Sequence, residues 1–403
     1  MRVLQISTNW GHGGPGGVEK DIYYCLIDKG HECFVAYGRD NIPDGVPSIK
    51  IGNKISNYTH GLLSLLLDNS GFSSKTATRN FIKKIKKLNP DIIQLHNLIG
   101  YYLNVEILFN FLKSFGKPVV WTIHDCWPVT GHCINFDRIN CLKWRNGCSN
   151  CELKWDYPKS LVFDGSKKNW FRKRAAFTNV PNMEIVSPSI WLSNILKQSF
   201  LNNYPIHVIN NGIDLSIFTP IQSNIKTEYG IENKIVLLAV AGVWNEMKGE
   251  YLLYDVARKL DERYVIVMIG KKTRSISLKN IVSIERTSDI KTLVKWYSAA
   301  DIFINPTLGD NFPTVNIEAL ACGLPIVTNL TGGSAEIVSE RCGRIVKSRT
   351  CDEFIKMIDE CVTANLSPQD CMNEALKYDK SKCFEKYISI YEHLLSNGAK
   401  VIK

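Results

Sequence analysis

Short apolar runs alternate with amphipathic stretches along this chain. Runs rich in Val and Ile predict buried strands, and apolar residues at helical spacing predict the helices that cover them. In the first half, the predicted strands are Val3–Ser7, Cys33–Tyr37, Ile92–His96, Val119–Ile123 and Glu184–Ser187. The predicted helices there are Gly17–Lys29, Thr76–Leu88, Val105–Phe115 and Lys167–Phe177.

The same alternation begins again in the second half. The predicted strands are Ile235–Val240, Tyr264–Ile269, Ile281–Ile284, Ile302–Asn305, Pro325–Thr328 and Gly343–Val346. The predicted helices are Gly249–Leu260, Ile290–Ala299, Thr314–Ala321, Cys351–Thr363 and a last one over Ser381–Leu395. Two such series predict an α/β protein with two Rossmann-like domains in tandem. We place the domains at 1–187 and 188–378, followed by the final helical segment at 379–403.

The composition is that of a soluble globular protein, with 45% hydrophobic and 22% charged residues among 403. The first residues, MRVLQIST, lack the features of a signal peptide. The longest apolar stretch, 235–244, is far shorter than the roughly 18 residues that a membrane span needs. We therefore expect a cytoplasmic protein.

The net charge of +10 is concentrated in the first half. Residues 1–185 hold 24 Lys/Arg against 15 Asp/Glu, whereas the remainder holds 25 against 24. This imbalance predicts an anionic partner, and the absence of nucleic-acid motifs favours a membrane surface over nucleic acid. Two segments fit a peripheral membrane protein: the apolar run Leu62–Leu67 followed by the basic cluster Lys83–Lys87, and the basic stretch Lys167–Arg174 with Trp170 and Phe171. Each segment alone is also compatible with an ordinary solvated helix face.

Two motifs of the first half follow predicted strands. The glycine-rich stretch Gly11–Lys20 ends where a helix is expected to begin near Gly17, and helix N-termini bind phosphates; the alternative is a flexible turn. His124 and Asp125 follow a strand at the edge where doubly wound sheets place ligands. There His124 could donate a hydrogen bond to a sugar hydroxyl or a leaving oxygen, or be a structural histidine.

A cysteine group stands apart from the other nine cysteines of the chain. Its members are Cys133, Cys141, Cys148 and Cys151, and the last two have CxxC spacing. A reduced cytoplasm favours a structural zinc ion over disulfides, while free thiols are the second alternative. The zinc ligands could also include His132. Four thiolates leave no open position, so such a zinc would not be catalytic.

The second half contains the strongest motif, NPTLGDNFPTVNIEALACGLPIVTNLTGGSAEIV. Asp310 lies in the loop before the helix Thr314–Ala321, and Glu318 lies two turns along that helix. The helix N-terminus directs free N–H groups at a ligand of the loop, and Glu318 could reach a ribose diol. Lys248 follows another strand and could meet a diphosphate. A nucleotide sugar fits this combination better than a bare nucleotide does.

At these residues the sequence resembles the retaining glycosyltransferases of family 4, which have the GT-B fold of two Rossmann-like domains facing across a cleft. The resemblance covers nearly the whole chain. The stretch HDCWPVTGHC and its downstream cysteines resemble a branch that acts in exopolysaccharide, capsule or O-antigen assembly, of the colanic-acid type. The matching segments are GGVE (16–19), the pair at 124–125, SPSIWL (187–192), NNGIDLSIFTP (210–220), IEALACGLPIV (317–327) and GGSAEIV (332–338).

The resemblance implies transfer of a hexose-type sugar, with retention, from a nucleotide diphosphate donor bound in the cleft. UDP is a more common donor nucleotide than GDP. The acceptor would be a polyprenyl-diphosphate-linked glycan at the inner membrane face, no cofactor or metal would be required for catalysis, and the segment 379–403 would pack back on the first domain. The implied catalytic residues are His124, near the anomeric carbon, Asp310, on the donor sugar, and Lys248, on the diphosphate. The implied donor-binding residues are Gly16, Gly17, Lys248, Asp310, Asn311, Phe312, Thr314 and Glu318, of which Glu318 would hold the ribose.

Two positions depart from the family pattern. Asp310 stands where the family usually has Glu, and Val243 stands where it usually has Arg. The second phosphate-binding cation could be Lys271, Lys272 or Arg274. A nucleotide-sugar epimerase of the same architecture and a non-catalytic glycan-binding or scaffold protein are the alternative functions.

Overall fold

The computed structural model describes residues 1–11, 13–273, 276–285, 287 and 289–400. The chain divides into two compact units. The first unit comprises Met1–Asn210 together with the described residues from Cys383 onward, and the second comprises Asn211–Lys382.

The first unit is built on a parallel sheet of seven strands in the order β3-β2-β1-β4-β5-β6-β7. The strands are β1 (Arg2–Ser7), β2 (Glu32–Tyr37), β3 (Ser48–Lys50), β4 (Ile92–Leu95), β5 (Val119–Thr122), β6 (Met183–Ser187) and β7 (Ile206–Val208). The helices are α1 (Gly13–Asp28), α2 (Lys54–Leu67), α3 (Lys75–Leu88), α4 (Val105–Phe115), α5 (Ser166–Phe177) and α6 (Ile190–Lys197).

Three features of the first unit differ from the sequence-based expectation. Strands β3 and β7 form the two edges of the sheet and were not predicted. Because β7 pairs with β6, residues 188–210 belong to the first unit, and the boundary lies after Asn210 rather than after 187. Helix α1 begins at Gly13, so Gly17 lies in its second turn and not at its start. Pro15 is compatible with the first turn because the N–H that it lacks would have no partner within the helix.

The last helix, α13 (Lys380–Lys400), covers the first sheet with its apolar side. The Tyr391 hydroxyl donates to Gln94 at 2.8 Å, and the Thr122 hydroxyl donates to Tyr387 at 3.2 Å. Both partners of α13 lie on central strands, β4 and β5, where they have almost no exposed surface. The C-terminal helix is therefore part of the core of the first unit.

The second unit contains a parallel sheet of six strands in the order β10-β9-β8-β11-β12-β13. The strands are β8 (Ile235–Val243), β9 (Tyr264–Lys271), β10 (Ile281–Ile284), β11 (Ile302–Asn305), β12 (Ile326–Asn329) and β13 (Gly343–Val346). The helices are α7 (Ile225–Glu228), α8 (Glu250–Lys259), α9 (Ile290–Ala299), α10 (Thr314–Ala321), α11 (Cys351–Ala364) and α12 (Pro368–Ala375). Both sheets reverse their strand order once, which confirms the predicted α/β class with doubly wound sheets.

The basic stretch on α5 is not a uniform solvated face. Lys173 and Trp170 are 0% and 3% exposed. The Lys173 ammonium donates to the backbone carbonyl oxygens of Trp127 and Thr130, and burial lowers its pKa to about 7. Lys173 is thus a structural residue of the core. Among the helices that the structure describes, none has the length and apolarity of a membrane span.

Candidate functional site

The polar residues of the second unit meet where its strand order reverses, between the neighbouring strands β8 and β11. Lys248 follows β8, and Asp310 follows β11. The Lys248 Nζ lies 2.6 Å from the Asp310 Oδ2, with 39% and 21% of the two side chains exposed. Ligands of doubly wound sheets bind outside the carboxyl ends of the strands at this reversal. The structure therefore brings two of the predicted catalytic residues together at the expected edge.

The loop of Lys248 is held by its neighbours in sequence. The Asn245 side chain accepts a hydrogen bond from the Lys248 N–H at 3.1 Å. Gly249 has a φ of +74°, and a Cβ at this residue would lie 2.3 Å from the carbonyl oxygen of Pro306. Only glycine fits there, because both the backbone conformation and the space exclude a side chain.

The loop of Asp310 is fixed from two sides. The Leu308 N–H donates to the Met247 carbonyl oxygen at 2.8 Å, which ties this loop to that of Lys248. The Gly333 N–H donates to the Asp310 carbonyl oxygen at 3.1 Å. Gly332 has a φ of +50°, and a Cβ there would lie 1.8 Å from the same oxygen. The glycine turn after β12 thus packs directly on the backbone of Asp310.

Glu318 lies in the second turn of α10 and is partly buried. Its Oε2 accepts a hydrogen bond from the Tyr297 hydroxyl at 3.0 Å. Burial raises the pKa of Glu318, while hydrogen bonds from the hydroxyls of Tyr297 and Thr314 act in the opposite direction. Glu318 is thus oriented from α9 and from its own helix, and Thr314, predicted as a donor ligand, is one of its supports.

Phe312, predicted to bind the donor, has a buried side chain. Its ring is 3% exposed and packs against Tyr378, with the ring centroids 5.5 Å apart. Its carbonyl oxygen accepts from the Asn211 side chain at 3.1 Å. Phe312 therefore anchors the loop, whereas its neighbour Asn311 is partly exposed at the beginning of α10.

A pocket of about 600 Å³ opens at the carboxyl ends of β8, β9 and β10. Its lining includes Val243, Lys271, Lys272 and Glu285. Val243 is the direct cross-strand partner of Lys271, and adjacent strands lie about 4.8 Å apart. A lysine therefore stands beside the position at which the family usually has Arg. Arg274, the third predicted substitute, lies outside the described residues.

The glycine-rich segment of the first unit follows β1, which neighbours β4 where that strand order reverses. The Gly11 N–H donates to the Gly16 carbonyl oxygen at 2.9 Å. A Cβ at Gly16 would lie 3.1 Å from two backbone atoms, whereas one at Gly17 would meet nothing within 4 Å. A side chain at Gly16 would thus be crowded by the backbone, whereas Gly17 leaves open space beside the helix.

His124 forms a pair with a second histidine that sequence reasoning missed. His96 follows β4, and its Nδ1 lies 3.2 Å from the His124 Nε2, with the rings stacked 5.5 Å apart. Burial lowers the pKa of His124 to about 4 and that of His96 well below its usual value. Both imidazoles are therefore neutral at pH 7. The adjacent Asp125 accepts from the Trp127 N–H at 2.8 Å, and burial raises its pKa to about 6.

The four cysteines at 133, 141, 148 and 151 line one small cavity of about 20 Å³, together with His132. No disulfide joins any of the thirteen cysteines, all of which lie in the described part of the chain. The His132 Nδ1 lies 2.6 Å from the Asp68 carboxylate, and its buried Nε2 has no hydrogen-bond partner among the described residues. In the described part of the chain, no three His, Cys, Asp or Glu side chains are arranged as a metal ligand set.

Tyr297 and Glu250 are further polar residues of this region that were not predicted. Glu250 is 1% exposed and accepts from the Thr273 hydroxyl at 2.9 Å, which connects the start of α8 to the loop after β9. Tyr297 lies among apolar residues of α9, so its sequence context is that of a core position. In the sequence, the only indication of a role for Glu250 is its position directly after a glycine at a predicted helix start.

Two protein-family models match the chain. The model of Glycosyltransferase Family 4 matches residues 13–217, just over half of the 403 residues. The model of Glycosyl transferases group 1 matches residues 234–364. The two matches correspond to the first and the second unit.

Relatives and solved structures agree with these matches. A protein of Escherichia coli (strain K12), WcaC, provisionally named a colanic acid biosynthesis glycosyl transferase, is 22% identical over 98% of this chain and 100% of its own length. An N-acetylgalactosaminyltransferase of Campylobacter jejuni, acting on N,N'-diacetylbacillosaminyl-diphospho-undecaprenol by its name, is 26% identical over 46% of this chain and 54% of its own. The structure of sucrose-phosphate synthase from Thermosynechococcus elongatus superimposes with a TM-score of 0.74 at 15% identity, covering 98% and 99% of the two chains. HepE of Anabaena in complex with UDP gives 0.69 at 13% identity over 98% and 100%.

Proposed function

Because the chain belongs to glycosyltransferase family 4 and has the two Rossmann-like domains of the GT-B fold, we propose that it transfers a hexose-type sugar from a UDP-sugar to a lipid-linked glycan with retention of configuration. The observation that carries this proposal is the contact of Lys248 with Asp310 at the strand reversal of the second sheet, with Glu318 in the helix that follows the loop of Asp310. These residues supply a cation and two carboxylates where an α/β sheet binds its ligand.

Each of these three side chains fits one part of a nucleotide sugar. The Lys248 ammonium would neutralise the diphosphate as the bond to the sugar breaks, and stabilisation of developing charge is the largest catalytic term in many enzymes. Helix α10 has no side-chain cap at its N-terminus, so its first N–H groups can also face an anion. Glu318 would accept hydrogen bonds from the ribose hydroxyls, and Asp310, with Asn311, would contact the sugar.

The pocket beside Val243 supports a place for the rest of the nucleotide. Lys271 and Lys272 line this pocket, and no salt bridge engages either ammonium within the described residues. They would supply the positive charge that the usual arginine provides. In the first unit, the open space at Gly17 and the neutral His124 are suited to a close approach by a ligand and to hydrogen bonding without a fixed charge.

The choice of UDP and of a lipid-linked acceptor follows from relatives. HepE of Anabaena has been solved with UDP and with UDP-glucose. The name of the Campylobacter relative gives a diphospho-undecaprenol acceptor, and the Escherichia coli relative is named for colanic acid biosynthesis. We propose by this analogy a role in the assembly of a bacterial surface polysaccharide at the inner face of the membrane.

The test is a thermal-shift screen of UDP- and GDP-sugars, followed by turnover with a lipid-linked acceptor. A donor that binds only the folded state raises the melting temperature, and a 100-fold excess over Kd corresponds to about 2.7 kcal/mol. We expect a UDP-sugar to give the larger shift and UDP to be released only when the acceptor is present. NMR of the product should show the anomeric configuration of the donor. Release of UDP without acceptor, or no shift with any nucleotide sugar, would contradict the proposal.

We also propose that the cysteine cluster binds one structural zinc ion, since four thiols and an unpartnered His132 nitrogen surround one cavity. The thiols would have to move together to complete the ligand set. Metal analysis of protein purified without chelator should find about one equivalent of zinc. Less than half an equivalent would remove this proposal and would leave the transferase proposal untouched.

A further inference from the structure

Helix α2 buries polar residues and exposes apolar ones. Its two buried residues are His60 and Ser64, which are 1% and 0% exposed. On the opposite side, four large apolar residues follow each other at intervals of three and four positions and therefore form one stripe along the helix. Their exposed fractions are 77%, 78%, 55% and 38% for Ile55, Tyr58, Leu62 and Leu66.

The inner side of α2 is held by hydrogen bonds. The His60 Nε2 accepts from the Gly71 N–H at 3.1 Å, and its Nδ1 lies 2.9 Å from the Ser74 hydroxyl. Burial lowers the pKa of His60 to about 4, so the ring is neutral at pH 7. These hydrogen bonds therefore hold the polar side of α2 inward, and the apolar stripe is not part of the core.

A second exposed apolar segment lies against the end of α2. The N–H groups of Leu161 and Phe163 donate to the carbonyl oxygens of Leu65 and Leu66 at 2.7 and 3.4 Å. These carbonyl groups belong to the last turn of α2, where carbonyl oxygens find no N–H partner within the helix itself. The side chains of Leu161, Val162 and Phe163 are 41%, 56% and 57% exposed. We call this segment and the stripe of Ile55, Tyr58, Leu62 and Leu66 together the apolar patch.

The surroundings of the apolar patch are basic. Residues 48–67 contain no Asp or Glu. The carboxylate of Asp164, next to the patch, accepts from the backbone N–H groups of Cys151 and Ser166 at 2.6 and 2.8 Å. Four exposed lysines near the patch in sequence form no salt bridge among the described residues: Lys54, Lys159, Lys167 and Lys168.

We propose that the apolar patch docks on the surface of an anionic phospholipid bilayer, with its lysines on the lipid phosphates. Single exposed apolar residues are common, but seven adjacent ones mark an interaction site. A second copy of this chain fits less well, because a symmetric dimer would place the two basic rims against each other. The inference deepens the proposed function, on which it rests for the lipid-linked acceptor, but the docking itself is independent of donor binding.

The experiment measures cosedimentation of the full chain with vesicles. We expect binding to vesicles of phosphatidylglycerol and phosphatidylethanolamine, weakening with salt, and at least tenfold weaker binding to pure phosphatidylcholine. The triple variant Tyr58→Ser, Leu62→Ser, Leu66→Ser should bind anionic vesicles at least tenfold more weakly than the native protein.

A matched control separates this patch from apolar exposure in general. The triple variant Ile221→Ser, Tyr229→Ser, Leu376→Ser removes side chains that are 40%, 46% and 53% exposed in the second unit. Its vesicle binding should stay within twofold of the native value. Thermal melting should show both triple variants folded at the assay temperature, because each substituted side chain is at least 38% exposed.

A lysine variant keeps the test independent of apolar substitutions. Lys54→Gln with Lys159→Gln should weaken binding to anionic vesicles by about tenfold and leave the melting temperature unchanged. The proposal is overturned if the native protein ignores anionic vesicles, if both triple variants bind alike, or if light scattering shows a dimer that the patch variant converts to a monomer. Vesicle binding without any donor-induced thermal shift would instead contradict the proposed function alone.

Discussion

Replacing Lys248 with Met tests the chemistry assigned to the strand reversal of the second sheet. The variant removes an ammonium that lies 2.6 Å from Asp310 and keeps the aliphatic stem. Loss of one preorganised group that stabilises transition-state charge costs about 10²–10³ in kcat. Because 39% of this side chain is exposed, solvent screens part of its charge, and we expect the lower end, a fall of about 100-fold in kcat/KM. The salt bridge itself contributes at most about 1 kcal/mol to stability at this exposure.

The matched control is Lys226→Met, which removes another salt bridge of the same unit. Lys226 lies 2.7 Å from Asp301. Asp301 immediately precedes β11, whereas Asp310 follows it, so the two carboxylates lie at opposite ends of this strand. Initial rates of UDP release with acceptor, measured with the native protein and both variants, give the comparison, and melting temperatures monitor folding. We expect near-native turnover for Lys226→Met. If the two variants lose activity equally, or if neither does, Lys248 has no special role and the reasoning fails.

Three further outcomes follow from the structure. Glu318→Gln should weaken donor binding by about 10- to 100-fold in calorimetry, since a hydrogen bond to a charged group contributes about 1.5–3 kcal/mol; an unchanged Kd would argue against ribose binding. Gly332→Ala should lower the melting temperature and turnover more than Gly230→Ala. Both residues have positive φ, but only at Gly332 would a Cβ collide with the backbone of Asp310, so equal effects would contradict this. Because burial lowers the pKa of His60 from 6.5 to about 4, its neutral form contributes stability that is present above pH 6.5 and lost as pH falls toward 4. We expect denaturant titrations over that range to show a loss of stability about 3 kcal/mol larger in the native protein than in His60→Gln, since His124 and His96 contribute equally to both, and equal slopes would refute it.

Most of the strands that the sequence predicted are buried on both sides, although the edge strand β10, which has no buried residue, was predicted from its Ile and Val residues. Strands buried on both sides are continuous apolar runs, as in β5, whose four residues are all buried. The edge strands β3 and β7 consist of Ser-Ile-Lys and Ile-His-Val, and no residue in either is buried. Three residues without an apolar pattern carry too little information, so the domain boundary, which depends on β7, was placed too early.

Helix α2 shows a different limit of pattern analysis. Its apolar residues predicted a surface segment but not the helix that carries them. Helical periodicity identifies which residues share a side, whereas the choice of the inward side depends on partners elsewhere in the chain. Here His60 faces inward because Gly71 and Ser74 lie opposite it, and no local pattern contains that contact.

The residues of the candidate site could be predicted where they lie within one sequence motif. They could not be predicted where separate strands or helices bring them into contact. Asp310 and Glu318 lie within one segment, so their proximity to a helix start follows from spacing. The contact between His96 and His124 depends on β4 and β5 being neighbours, and that between Tyr297 and Glu318 depends on how α9 packs against α10. Such pairs require the tertiary fold.

The register of the second sheet places a lysine beside Val243, the position at which the family usually has Arg. Val243 is the last residue of β8 and Lys271 is the last residue of the neighbouring strand β9, and the two are direct partners in the sheet. In a parallel sheet, neighbouring strands end at the same edge, so a cation on either strand reaches the same space. The pocket that contains both residues also contains Lys272. The proposed diphosphate site therefore does not depend on a cation at position 243 itself, because a lysine at the end of β9 lies beside it.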